Sequence, residues 1–193
     1  MRLPPIPPQD LTADQRLLYD TLRAGIAKQF QGFQTERADG ALLGPFNPWL
    51  HEPEIGQAIW ELIEAVSKRG ALSDAARQVA ILVTGSRFKS AYELYAHVQV
   101  AREKGLPEDK VATIVAGQRP SDLTAEEAAV FDAASALNAG GVLPRPVYDR
   151  VVAAVGATGV PELIHLVGLY AMVCIPLNGF DVPVPEQQVD PAS

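Results

Sequence analysis

The stretch "DAARQVAILVTGS", Asp74 to Ser86, decides between two folds. Its centre, Val79 to Val83, is an unbroken apolar run. A strand buried on both faces looks like this, and so does a helix buried all round. The flanks are helical in character, Ser73 is placed to act as an N-cap, and no other segment reads as a partner strand. The reading is therefore helix.

Working outward, the same punctuation recurs. On the N-terminal side, Pro53 opens a helix whose Ile55, Ile59, Leu62, Ile63 and Val66 share one stripe, and Gly70 ends it. Before it lies a long loop, residues 31–52, rich in glycine and proline, and loops of that length are often functional. Earlier still, "LTADQRLLYDTLRAG" is a helix with a Thr12/Gln15 capping box, preceded by an extended, proline-rich residues 1–9 segment. On the C-terminal side, a helix runs from about Ser90 to Lys104 and closes at Gly105. Pro107 opens a short one to Gly117, and Thr124 with Glu127 box-caps the next, which ends at Gly140-Gly141. Pro146 opens one to Gly156, and Pro161 opens the last, ending near Asn178. Seven or eight helices with short connections make an all-α domain.

The chain has 193 residues, 48% of them apolar and 20% charged, with a net charge of −7. That balance suits one soluble domain and argues against nucleic acid or an anionic membrane as partner. The most apolar stretch, Leu163 to Leu177, is shorter than a bilayer span, contains His165 and is broken by Pro176, so it reads as a core helix. The first ten residues contain no apolar run of signal-peptide type, and a cytoplasmic protein is expected. Cys174 is the single cysteine, which leaves no Cys-x-x-Cys pair within the chain; in its apolar helix it reads as an inert core thiol. No zinc-type spacing links His51, His97 and His165, and no metal site is expected.

The segment "KSAYELYAHVQVAREKGL", Lys89 to Leu106, places Glu93 and His97 four residues apart, on one helix face. One reading is chemical. The carboxylate accepts the imidazole N–H, fixes its tautomer and raises its pKa, giving a general acid/base near neutral pH. The other is structural: Ser90-Ala91-Tyr92-Glu93 is itself a capping-box pattern, and His97 is a satisfied core residue. Spacing alone favours the second. Arg87 and Lys89, just ahead of this helix, would suit an anion.

Four pieces together resemble the carboxymuconolactone decarboxylase-like family: "AYELYAHVQVAREKGL", "VATIVAGQRP", "LVGLYAMVCIPLNGFDVPVP" and the loop "LLGPFNPWLHEPEIGQAIWEL". The resemblance covers roughly Arg37 to Pro185. It divides the chain into an N-terminal extension and helix (1–36), a family domain (37–185) and a flexible tail (186–193). It implies a single-domain helical bundle of the alkyl hydroperoxidase D type, assembled as a homotrimer or homohexamer with pockets near subunit contacts. In the peroxidase branch a Cys-x-x-Cys opens the helix, and a relay glutamate precedes the histidine by nineteen residues. Those positions here are Ser90, Glu93 and Gln78, so disulfide-cycling peroxidase chemistry is not expected. The cysteine-less branch has the Glu and His that this chain has, and needs no cofactor.

The resemblance thus tips the balance towards chemistry. It implies a cofactor-independent, decarboxylase-like lyase acting on a small carboxylated ring or lactone. In that reading His97 is the proton donor, Glu93 its orienting partner and Arg87 a carboxylate or oxyanion contact. Tyr92 and Tyr95 add hydroxyl donors, and Phe46, Trp49 and His51 line the pocket. The alternatives are a non-catalytic oligomeric ligand-binding or stress-related protein of the same fold, favoured by Gln78 in place of an acid, and a related isomerase or dehydratase.

Overall fold

The computed structural model describes residues 1–29 and 32–185; the tail expected at 186–193 lies outside them. Among the described residues, eight α-helices run α1 Ala13–Gln29, α2 Phe46–His51, α3 Pro53–Ser67, α4 Asp74–Phe88, α5 Ala91–Glu103, α6 Glu108–Val115, α7 Ala125–Ala139 and α8 Arg145–Gly179. The extended pairing among those residues is one isolated antiparallel bridge, Glu36 to Leu42.

Helix α4 explains the ambiguity of its sequence. Ser73 caps it, accepting from Ala76 N–H at 3.2 Å. Every residue from Gln78 to Gly85 is buried, because α5, α6, α7 and α8 pack around it. A helix enclosed on all sides has no polar stripe to reveal its period. Leu82, Val79, Leu163 and Leu166 lie at the centre of the core, and Leu18, Tyr19, Leu22 and Ile26 of α1 join it.

The capping boxes at Thr12/Gln15 and Thr124/Glu127 both form. The one expected at Ser90/Glu93 does not: Ser90 is the N-cap residue of α5 but its side chain makes no cap bond. Two further departures are local. The expected loop 31–52 contains α2, which buries Phe46, Asn47, Trp49 and Leu50. The two expected C-terminal helices are arms of α8, which turns at Gly156 (φ 73°, ψ 169°). Helix resumes after Gly156, and Pro161 lies inside the second arm, where it leaves Ala157 C=O without its i+4 donor. Helix α8 is apolar enough to span a bilayer by length and composition, but half of its most apolar window is buried inside the domain.

Two glycines set the approach of elements around α5. A Cβ at Gly85 of α4 would lie 3.0 Å from Leu94 and 3.6 Å from Glu93, so the absence of a side chain lets α4 and α5 close together. Gly44 (φ 63°) lies where a Cβ would fall 2.2 Å from the Tyr92 ring, which seats the loop directly on α5.

Candidate active site

Glu93 and His97 project from α5 into the interior, 3% and 6% exposed. His97 Nε2 lies 3.2 Å from Glu93 Oε1. On its other side, His97 Nδ1 lies 2.9 Å from Gln78 Oε1 of α4. The Tyr170 ring of α8 meets the imidazole edge-to-face, with centroids 5.0 Å apart. An amide oxygen only accepts, so Nδ1 carries the hydrogen and donates to Gln78. Nε2 is then a bare lone pair facing Glu93.

This arrangement reverses the charge states expected from sequence. Burial pushes the Glu93 carboxyl up to about 8 and the His97 imidazole down to about 3. Desolvation disfavours both charged forms, and the short contact does not overcome it. Burial thus favours a carboxylic acid beside a neutral imidazole, which makes Glu93 the better candidate acid. Its Oε1 is fully buried and makes no hydrogen bond of good geometry, and Ser90 Oγ is in the same condition. Glu93 is therefore not a helix-capping glutamate, whereas His97, bonded to Gln78, is satisfied as a core residue would be.

The pair borders two cavities. One, of about 30 Å³, is walled by Phe33, Phe46, Trp49, Tyr92, Leu169 and Val173, with Glu93, His97 and Tyr170 among its lining. The other, of about 160 Å³, reaches His97 from the Gln78 side and is mixed, with Asp74, Arg77 and Lys104 among apolar side chains. The histidine ring thus stands between an aromatic-walled chamber and a cleft that carries charged side chains.

The remaining expected site residues divide. Phe46, Trp49 and Tyr92 line the apolar chamber. The Tyr92 hydroxyl donates to Gln34 C=O at 2.9 Å, and the Tyr95 hydroxyl accepts from Gln34 N–H at 3.0 Å. Both phenols therefore pin the loop rather than facing a ligand, and Tyr95 is outside the lining. His51 does not reach the chamber: its Nε2 lies 3.0 Å from Pro4 C=O, and with Asn47 it ties down the N-terminal segment. Arg87 does not reach it either. Nine residues beyond Gln78, it lies roughly 13 Å further along α4, where its Nε donates to Asn138 C=O and it borders a different cavity. Cys174 is fully buried, in contact with Ser90, and burial pushes its thiol up to about 12.

Residues 53–136, which include α4, α5 and the Glu93–His97 pair, match the model of the carboxymuconolactone decarboxylase family. Over those residues the chain is carboxymuconolactone decarboxylase-like. Solved structures extend the likeness to the whole fold. An uncharacterised peroxidase-related protein from Ralstonia eutropha with the alkylhydroperoxidase AhpD core matches at TM-score 0.75 and 12% identity, over 96% of this chain and 92% of that one. The debrominase Bmp8, in complex with 2,3,4-tribromopyrrole, matches at 0.72 and 11%, over 96% and 92%. A protein of unknown function from Agrobacterium tumefaciens, described as a putative AhpD antioxidant defence protein, matches at 0.65 and 18%, over 72% and 96%. No curated protein matches the sequence.

In this carboxymuconolactone decarboxylase-like chain, Gln78, at the position the resemblance gives to a relay acid, contacts the histidine while supplying no charge. Sequence reasoning marked Gln78 as a loss; the fold makes it the partner of His97. Tyr170, Leu169 and Val173 were missed. They come from the far end of the chain, and their arrival on α5 is set by the crossing of α8, which no local pattern encodes.

Proposed function

We propose that Glu93 and His97 form a cofactor-free acid–base site of a cytoplasmic carbon–carbon lyase, acting on a small carboxylated ring or lactone. The observation that supports it is the buried Glu93 carboxyl, without a settled hydrogen-bond partner, facing both His97 Nε2 and an aromatic-walled chamber, where burial raises its pKa and favours the protonated form. Such an acid is poised to give its proton to a substrate carbon.

In the step this implies, the bond from ring carbon to carboxylate breaks and carbon dioxide leaves. The electron pair stays on carbon, conjugated as an enolate, and the Glu93 O–H delivers its proton there. Glu93 then regains a proton from water. His97, held as the Nδ1–H tautomer by Gln78, keeps Nε2 turned to Glu93 and lets it form and relinquish an O–H. The chamber brings no cation to the substrate carboxylate, so an apolar wall favours loss of that localised charge. The bound pyrrole in the debrominase belongs to that enzyme; it supports a small planar ring as the size class the fold accommodates.

A second reading, a ligand-binding protein without turnover, is favoured by Gln78, which stands against His97 in place of an acid. For either reading the chamber is small. Its volume of about 30 Å³ holds a water or two, whereas a benzene-binding cavity measures about 150 Å³. Ring entry therefore requires Phe33 and its neighbours to move. Assaying carbon dioxide release from a panel of lactone and keto-acid carboxylates separates the two. Turnover abolished in Glu93→Gln supports the lyase. Saturable binding with no turnover on any member supports the binder.

A further inference from the structure

On the far side of α4 from the Glu93–His97 pair lies a cavity of about 330 Å³. It is built from helical stripes. Val83, Ser86 and Arg87 stand at i, i+3 and i+4 on α4, and Phe131, Ser135 and Asn138 follow at i, i+4 and i+7 on α7. Ile114 and Gly117 close it from the end of α6, and Lys89 stands at its rim. Val83, Ile114 and Phe131 supply an apolar floor, and two cations stand over it.

Neither cation is spent on a carboxylate. Most arginines of this acidic chain pair with one, as in Arg23–Glu36, Arg77–Glu162 and Arg102–Glu108. Among the described residues, Arg87 makes one bond, from Nε to Asn138 C=O at 3.4 Å, and the Lys89 ammonium makes none. That single bond fixes the guanidinium at the cavity edge and leaves both terminal amino groups for a ligand. Lys89 occupies the left-handed C-cap of α4 (φ 51°, ψ 40°), where glycine would be unstrained. Its ammonium is held at the rim at a conformational cost.

We propose that this cavity is an accessory binding site for a small aromatic or branched aliphatic carboxylate. The hydrocarbon body rests on Val83, Ile114 and Phe131, and the carboxylate meets Arg87 with Lys89. The volume lies at the low end of ligand pockets, which suits a single ring. The site is independent of the Glu93–His97 reaction and stands whether or not that pair turns substrate over.

The test is a titration of the full chain with sodium benzoate, followed by methyl shifts of Val83 and Ile114, with benzamide as the uncharged isostere. Saturable shifts at both methyls are expected for benzoate and not for benzamide. Arg87→Gln should weaken binding by roughly tenfold or more. Lys89→Gly should weaken it while the melting temperature holds or rises, which separates loss of charge from loss of fold. His97→Gln should leave it unchanged. Absence of saturation with benzoate in large excess, equal binding of benzamide, or full affinity in Arg87→Gln would each overturn the site. So would shifts confined to Leu169 and Val173, which would place the probe in the other chamber.

Discussion

Gln78 Oε1 and His97 Nδ1 lie 2.9 Å apart across the α4–α5 contact, and the amide makes the ring's tautomer a property of α4. An amide fixes the hydrogen on Nδ1 but offers no charge to an imidazolium. Gln78→Glu would supply that charge and should raise the His97 pKa from its depressed value towards neutrality. Ring-nitrogen NMR shifts recorded against pH read this directly. If His97 titrates identically in both proteins, Gln78 does not govern its protonation.

Cys174 gives a second expectation. A fully buried thiol whose pKa is raised to about 12 has almost no thiolate at neutral pH. It should react with an aromatic disulfide reagent only after denaturation, and hydroperoxide turnover driven by a dithiol should be absent. Rapid labelling of the native protein, or peroxidase activity lost in Cys174→Ser, would contradict this.

What the sequence disclosed and what it hid follow from range. Caps, prolines and glycines act within a turn, so the bounds of α3, α5 and α7 could be read from Pro53, Gly105 and the Thr124/Glu127 box. The same local logic failed at Ser90/Glu93, because the interior competed for the glutamate and won. It failed again on protonation: an i, i+4 pair in water favours charges, whereas the same pair closed in by Tyr170 and α4 loses them. Arg87 was misplaced because proximity in sequence to α5 says nothing about which side of α4 it faces. His51 is expected in the pocket on family position and residue type, and its partner proves to be Pro4, 47 residues away.

The second arm of α8 presents Pro161, Ile164, Gly168 and Ile175 outward, with Ala171 and Met172 half-buried between them. The spacing of 3 and 4 residues, and a 57% exposed Ile175, suit packing against a second copy. A Cβ at Gly168 meets nothing within 4 Å, so a side chain there leaves the protomer intact. Wild-type protein should sediment as a homo-oligomer, and Gly168→Glu and Ile175→Glu should each lower its mass. A wild-type monomer, or variants of unchanged mass, would show that this face is not the contact.

The Glu93–His97 pair predicts a pH dependence with two limbs. Glu93 has a folded pKa of about 8, above its unfolded value, so its contribution to stability is present in acid and lost as pH rises towards 8. His97 has a folded pKa of about 3, below its unfolded value, so its contribution is lost as pH falls towards 3. The two slopes oppose between the unfolded values, about 4.3 for Glu and 6.5 for His. Above that window only the Glu93 limb remains, and stability should fall between roughly pH 6.5 and 8 by at most about 1.4 kcal/mol per pH unit. Glu93→Gln cannot ionise, so it should flatten this limb, and denaturant melts at stepped pH will show it. If Glu93 is the proton donor, turnover should also fade above pH 8 in the wild type. Glu93→Gln should then lose about 10²–10⁴-fold in rate, and a variant that keeps full activity per folded molecule would remove Glu93 from the chemistry. His97→Gln keeps a neutral side chain near Glu93 and should lose less. A His97→Gln rate as low as that of Glu93→Gln would return the donor role to the histidine.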